Sequence, residues 1–302
     1  MVVGSNKSFR RLFRELWLHI LLTTVYIAVI CELDYKFQLE RFNFPVAIVA
    51  ILGTVIGLLL AFRTNSGYAR WWEARTLWGA IVNDSRTWVR QLIEFMQFTE
   101  TDSDLHSVQK RMAYRQIAWC HALSRSLRGQ DVTQDLHKFV DHVELTSYQS
   151  SHNVPNDILL NQAIDLRKLY DDKHLELYQF VELEKTLTRL TNWMGGCERI
   201  RNTTFPMSYS RIVNILIYLF VFFLPFGLVD VPPVGLVFTS LLLAVSFLLI
   251  ERVSVYLQDP FSNRPSDTPM LTLSRTIEIN IRQMLDEVDL PDQMEPKNGI
   301  LL

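Results

Sequence analysis

Chemistry in a protein starts from side chains of the right type at the right spacing, and the first places to look are histidine, cysteine and the acids. His106, His121, His137, His142, His152 and His174 all fall between residues 63 and 211. None pairs at the HExxH spacing that would put two imidazoles and a carboxylate on one helix face around zinc. They read as solvated surface histidines. Cys31, Cys120 and Cys197 form no CxxC pair, so neither a zinc site nor a disulfide framework is expected and the thiols read as reduced and structural. There is no GxSxG elbow, P-loop or GxGxxG run. An enzyme is not expected, and neither is a metal or cofactor.

What remains is the chemistry of admitting or excluding water. In "ILGTVIGLLLAFRTNSGYARWW", Ile51 to Trp72, Gly53, Gly57 and Ala61 recur every four residues, a small-residue stripe that suits close helix packing. Thr54, Leu58 and Phe62 each lie one residue further on, about 100° around the helix. That second stripe faces either lipid or a central axis, where a narrow apolar ring gates by losing its water. Arg70, Trp71 and Trp72, with Arg75, Trp78, Arg86, Trp88 and Arg90 behind them, read as interfacial anchors.

These residues need a membrane to work in. The whole chain, with net charge −2 and 21% charged residues, resembles a soluble protein, and only local windows give the class away. Phe44 to Phe62 and Pro232 to Ile250 are uncharged runs of about 19 residues, enough to cross a hydrocarbon core of about 30 Å. Ile212 to Val229 is a third run, interrupted by Pro225, and Leu16 to Cys31 a shorter fourth. Lys7, Arg10, Arg11 and Arg14 before the first, Arg63, Arg70 and Arg75 after the second, and Arg199, Arg201 and Arg211 before the third put those flanks in the cytoplasm. Both termini are then cytoplasmic, and the loop with Glu32, Asp34, Lys36, Glu40 and Arg41 and the short "DVPP" connection at Asp230 face outward, as for a multi-pass inner-membrane protein. The Arg-rich start has no small-residue cleavage site and reads as a retained helix.

The expected architecture is therefore all-α. Residues 1–62 hold an N-terminal segment and two spans, with 44–62 as the pore-lining candidate; 63–211 form a helical cytosolic domain; 212–250 hold two more spans; 251–302 form a cytosolic tail. Within the second block, helices are expected from Leu105 to Arg128, closed by Gly129, from Asn153-Val154-Pro155 to about Tyr170, and from about His174 to Met194, closed by Gly195-Gly196. Leu175, Val181, Leu183, Leu187 and Leu190 supply the apolar face of the last. The absence of a basic excess argues against nucleic acid.

Three motifs, "FRTNSGYARWWEAR" after the second span, "MGGCERIRNTTFP" before the third and "LQDPFSNRPSDTPMLTLSRTIEINIRQML" after the fourth, together resemble the bestrophin family, specifically its bacterial branch. The resemblance implies a homopentameric ion channel in the lipid bilayer, with five copies of the second span lining a hydrophobic neck and a cytosolic region extending the pore. Aligned on the Arg-Trp-Trp motif, the neck falls on Thr54, Leu58 and Phe62, the stripe already isolated. The family usually has bulky apolar residues at all three positions, so Thr54 implies a wetter level. A cytosolic constriction is implied near Asp172 to Leu183. Animal members add a calcium clasp of acids after the last span; here Asp259-Pro260-Phe261 is followed only by Asp267, so calcium activation is not expected.

Small monovalent ions are the implied cargo: chloride and other anions in animal members, monovalent cations in bacterial ones. Five copies of Glu32, Asp34 and Glu40 at the outer vestibule would concentrate cations, and the expectation leans that way. The alternative is a membrane-anchored scaffold that binds a cytosolic partner without conducting.

Overall fold

The computed structural model describes residues 5–37, 45–96, 103–203, 206–228, 231–264 and 266–296. Among them every regular element is helical and no strand occurs. In chain order they are α1 Ser5–Phe37, α2 Val46–Phe95, α3 Ser103–Leu127, α4 His142–Gln149, α5 Val154–Asp171, α6 Leu177–Asn202, α7 Met207–Phe223, α8 Pro233–Gln258 and α9 Met270–Met284, with short 3-10 turns at Leu136–Lys138 and Pro225–Gly227. The all-α expectation holds.

The chain divides into two compact units. One takes the stretch up to Trp71 and Thr204–Pro260, and the other Trp72–Thr203 and the stretch from Phe261. Helix α2 contributes its first half to one and the rest to the other, and its 50 residues amount to about 75 Å of continuous helix.

The unit built from α1, the start of α2, α7 and α8 has an interior of Leu16, Val49, Ile56, Leu60, Val213, Ile217, Phe220, Leu224, Ala244 and Leu248. Its surface is unlike that of a water-soluble bundle, as α8 shows. On α8 the buried stripe is Leu236, Ser240, Ala244, Leu248, Glu251, Ser254 and Gln258, largely small or polar, while Val234, Phe238, Leu242, Ile250 and Val253 are exposed. Small and polar residues inward with apolar residues outward is what hydrocarbon solvent selects. Leu16–Leu33, part of α2 and α8 are long and apolar enough to cross a membrane, whereas the apolar helix Ser208–Phe223 is shorter. The third expected run, Ile212 to Val229, ends as a helix at Phe223. Pro225 has no N–H to continue the ladder, and its ring clashes with the preceding turn.

The second unit is ordered as a water-soluble bundle, around Trp78, Trp88, Trp119, Leu123, Leu166, Leu190 and Ile277. Its helix ends follow the sequence signals in two cases out of three. Helix α3 stops in a Schellman motif, with Gly129 at φ 65 and the amides of Gly129 and Gln130 donating to the carbonyls of Ser126 and Arg125 at 3.0 Å each. Helix α5 begins at Asn153, whose side chain accepts from the Asn156 amide at 3.2 Å. Helix α6 departs from expectation at both ends. It starts at Leu177 behind a capping box of Glu176 and Gln179, and it runs through Gly195-Gly196 to Asn202. A Cβ on Gly196 would lie 3.0 Å from Leu77 Cδ1, so this glycine admits α2 at close range and tertiary packing overrides its weak helix propensity. Leu175, Leu183, Leu187 and Leu190 are buried, but Val181 is exposed.

Candidate ion-permeation site

The buried face of the first half of α2 is Val49, Ile56, Leu60, Arg63 and Gly67. A residue two positions away on a helix lies about 200° around, which sends Thr54, Leu58 and Phe62 to the opposite side. All three are exposed in the single chain, Leu58 by 57% and Phe62 by 60%. Thr54 Oγ1 donates to the Ala50 carbonyl at 2.9 Å, so its hydroxyl is held against the helix while its oxygen remains an acceptor. The face is apolar with one weakly polar level.

Among the described residues the expected small-residue stripe is put to work at one position. A Cβ on Gly53 would lie 3.1 Å from Phe220 Cε2, whereas nothing among the described residues lies within 4 Å of one on Gly57, and Ala61 is exposed. Helix α7 lies across only one turn of the stripe.

What fastens α2 is polar. Arg63 Nη1 donates to Glu251 Oε1 at 3.2 Å and Nη2 to Ser210 Oγ at 3.0 Å. Thr64 pairs with Ser254, a Cβ on Gly67 would meet the Ser254 carbonyl, and Arg70 Nε donates to the Gln258 carbonyl at 2.9 Å. Thus Arg63, Thr64, Gly67 and Arg70 run in register against Glu251, Ser254 and Gln258. Sequence reasoning took Arg63 and Arg70 for cytoplasmic flanks and missed Glu251 altogether. The signal was present: a lone acid directly after a run of apolar residues demands a buried partner.

The aromatic residues behind this motif divide. Trp71 stacks with Tyr68 at 6.0 Å between centroids and Trp72 is 56% exposed, but Trp78 and Trp88 are fully buried core residues of the second unit, not interfacial anchors. Helix α2 continues into a bundle whose apolar interior takes up large side chains. Arg86 donates to Asn280 Oδ1 at 2.9 Å and Arg90 to Glu94 at 2.9 Å. Arg75 is half-buried.

The outer acids fare less well. Glu32 is exposed and ion-paired with Lys36 at 2.9 Å, so its charge is compensated where it stands. Asp34 lies on α1, but its side chain is outside the described residues, as is all of Glu40. The expected cation preference finds no support.

Of the six histidines, His121 is the exception to solvation: its Nε2 meets Glu278 Oε2 at 3.3 Å and its ring stacks on Phe139 at 5.3 Å. Cys120 and Cys197 are free thiols, and burial pushes both up to about 12. In the segment after α8, Asp267 is buried and accepts the Arg264 amide at 2.9 Å, and burial pushes its carboxyl up to about 6.

Comparison with known proteins decides the family. The family described as Bacterial/Fungal Bestrophin protein matches residues 7–283. The chain belongs to the bestrophin family. Bestrophin relatives include a Salmonella typhi protein named voltage-dependent anion channel-forming protein YneE, 34% identical over 294 residues that cover 97% of this chain and 93% of the relative. Its Escherichia coli K12 namesake is 33% identical over 270 residues, 89% of this chain and 86% of the relative. The crystal structure of a bacterial bestrophin homologue from Klebsiella pneumoniae superposes with a TM-score of 0.83 at 28% identity, covering 91% of this chain and 100% of that one. Bestrophin membership makes this a membrane channel protein and not an enzyme.

Proposed function

We propose that five copies of the chain assemble around an axis lined by α2, with Thr54, Leu58 and Phe62 forming a hydrophobic neck through which small monovalent ions pass. One observation carries this reading: the chain buries one side of α2, through Val49, Ile56 and Leu60 and then the Arg63 and Arg70 fasteners, and leaves Thr54, Leu58 and Phe62 on the other side exposed. A neighbouring subunit beside Gly57 and Ala61 would use the rest of the small-residue stripe, and an axial opening would use Leu58 and Phe62. Pentamer number is drawn from the family resemblance. Four membrane passes, with α7 as the shortest, inner-membrane residence and two cytoplasmic termini follow from the basic flanks and the positive-inside rule.

Such a neck offers almost no ligands to replace an ion's water, so it works as a gate by wetting and dewetting. Charge preference then belongs to the vestibules. The names of the relatives put anions among the ions to test. Purified protein in a planar bilayer under a salt gradient is the decisive experiment: a reversal potential away from zero gives conduction and its sign of charge together. A silent bilayer from correctly assembled protein would overturn the channel reading in favour of a scaffold.

A further inference from the structure

The apolar stretch of α2 ends at Arg63, which is only 2% exposed although it carries a permanent charge. Its guanidinium joins three helices, reaching Glu251 on α8 and Ser210 on α7. Glu251 is buried as well, and Arg252 Nε lies 3.9 Å from its other oxygen. The residue before Arg63 is Phe62, which is 60% exposed.

Consecutive helical residues lie about 100° apart, so the direction of Arg63 fixes the direction of Phe62. The contacts of Ile56 and Leu60 with their neighbours are non-directional and would tolerate some rotation of α2 about its own axis. Hydrogen bonds from a guanidinium to a carboxylate are short-ranged and directional, and removing a buried charge from its partner is strongly unfavourable. Rotation or axial slip of α2 therefore has to break this contact. Further along, Gly67 and Arg70 bind the same face of α8, and nearer the neck Tyr209 Oη donates to the Leu59 carbonyl at 2.9 Å, but the Arg63 contact is the buried ion pair adjoining Phe62.

We infer that the contact of Arg63 with Glu251 and Ser210 sets the rotation of α2 and through it how tightly Leu58 and Phe62 close the neck. It is a positioning device: none of the three side chains meets the permeating ion. The inference rests on the neck reading given above, and its test separates the two.

The test compares open probability of the full-length channel in planar bilayers for Glu251→Gln, Ser210→Ala, Leu58→Ala with Phe62→Ala, and each of the first two combined with that pair. Weakening a hydrogen bond to a buried charge is expected to raise open probability about tenfold in Glu251→Gln, and losing one neutral acceptor about threefold in Ser210→Ala. Because both act through the ring, neither should add to the effect of the Leu58→Ala and Phe62→Ala pair. If the pair opens the channel and the two fastener variants leave gating unchanged, or add to the pair in full, the inference is overturned and the neck reading stands. If the pair itself changes nothing, the neck reading falls and takes the inference with it. Should Glu251→Gln fail to assemble, Ser210→Ala, which alters no charge, decides by the same outcomes.

Discussion

A Cβ placed on Gly67 would lie 3.1 Å from the carbonyl oxygen of Ser254 and 3.2 Å from Leu257 Cβ. Helices α2 and α8 touch there nearly backbone to backbone, and both obstructing atoms are rigid. Three residues further along α2, Arg70 closes the same contact on the Gln258 carbonyl, where a cation also favours the negative end of α8.

Gly67→Val should push these helices apart and cost roughly 2 kcal/mol, in the range of overpacked interiors. The expected result is a lower thermal midpoint in detergent and less assembled channel by size exclusion. An unchanged midpoint would show that α8 shifts without cost.

The neck can be probed without much risk to the fold, because Leu58 and Phe62 are both exposed in the single chain. Leu58→Ala combined with Phe62→Ala should widen and wet the ring and raise open probability, whereas Thr54→Leu should dry its most polar level and lower it. Single-channel recording checks both, and equal currents in all variants would remove the stripe from the gate.

Glu278 on α9 is 2% exposed and faces Arg275 at 3.0 Å, Arg282 at 3.2 Å and the His121 ring of α3 at 3.3 Å. Burial works against its charge, but His121, Arg275 and Arg282 prevail and hold its carboxyl below the usual range. Its contribution is therefore present at neutral pH and lost as the pH falls through that lowered value. Glu278→Gln should cost roughly 3 kcal/mol at pH 7.5, with the gap to the parent closing in acid, as thermal melts at a series of pH values would record.

Asp267 behaves in the opposite way. Burial raises its carboxyl to about 6, so the folded chain holds that proton more tightly than the unfolded chain does. The stabilisation is complete below about pH 4 and is lost as the pH rises through about 6. Asp267→Asn removes the cost of a buried charge and should raise the thermal midpoint at pH 7.5, by an energy on the order of 2 to 3 kcal/mol, with no gain at pH 4. A lower midpoint at pH 7.5 would mean that the nearby Arg128 and Arg264 compensate the charge fully.

The sequence by itself determined the helical class, the apolar runs, the caps at Gly129 and Asn153 and the stripe of Thr54, Leu58 and Phe62. Each of these depends on residues a few positions apart along one helix, where periodicity and local hydrogen bonding leave a direct mark. The three motifs also pointed to the family before any fold was in view. Only the tertiary structure decided which helix face is covered. Glu251 lies 188 residues from Arg63, and no local pattern pairs them. For the same reason Trp78 and Trp88 looked like membrane anchors until the helices around them closed into a core, and Gly195-Gly196 looked like a stop until Leu77 was found against Gly196. Burial and long-range pairing are properties of the packed chain, because they depend on which distant segment displaces the solvent from a given side chain.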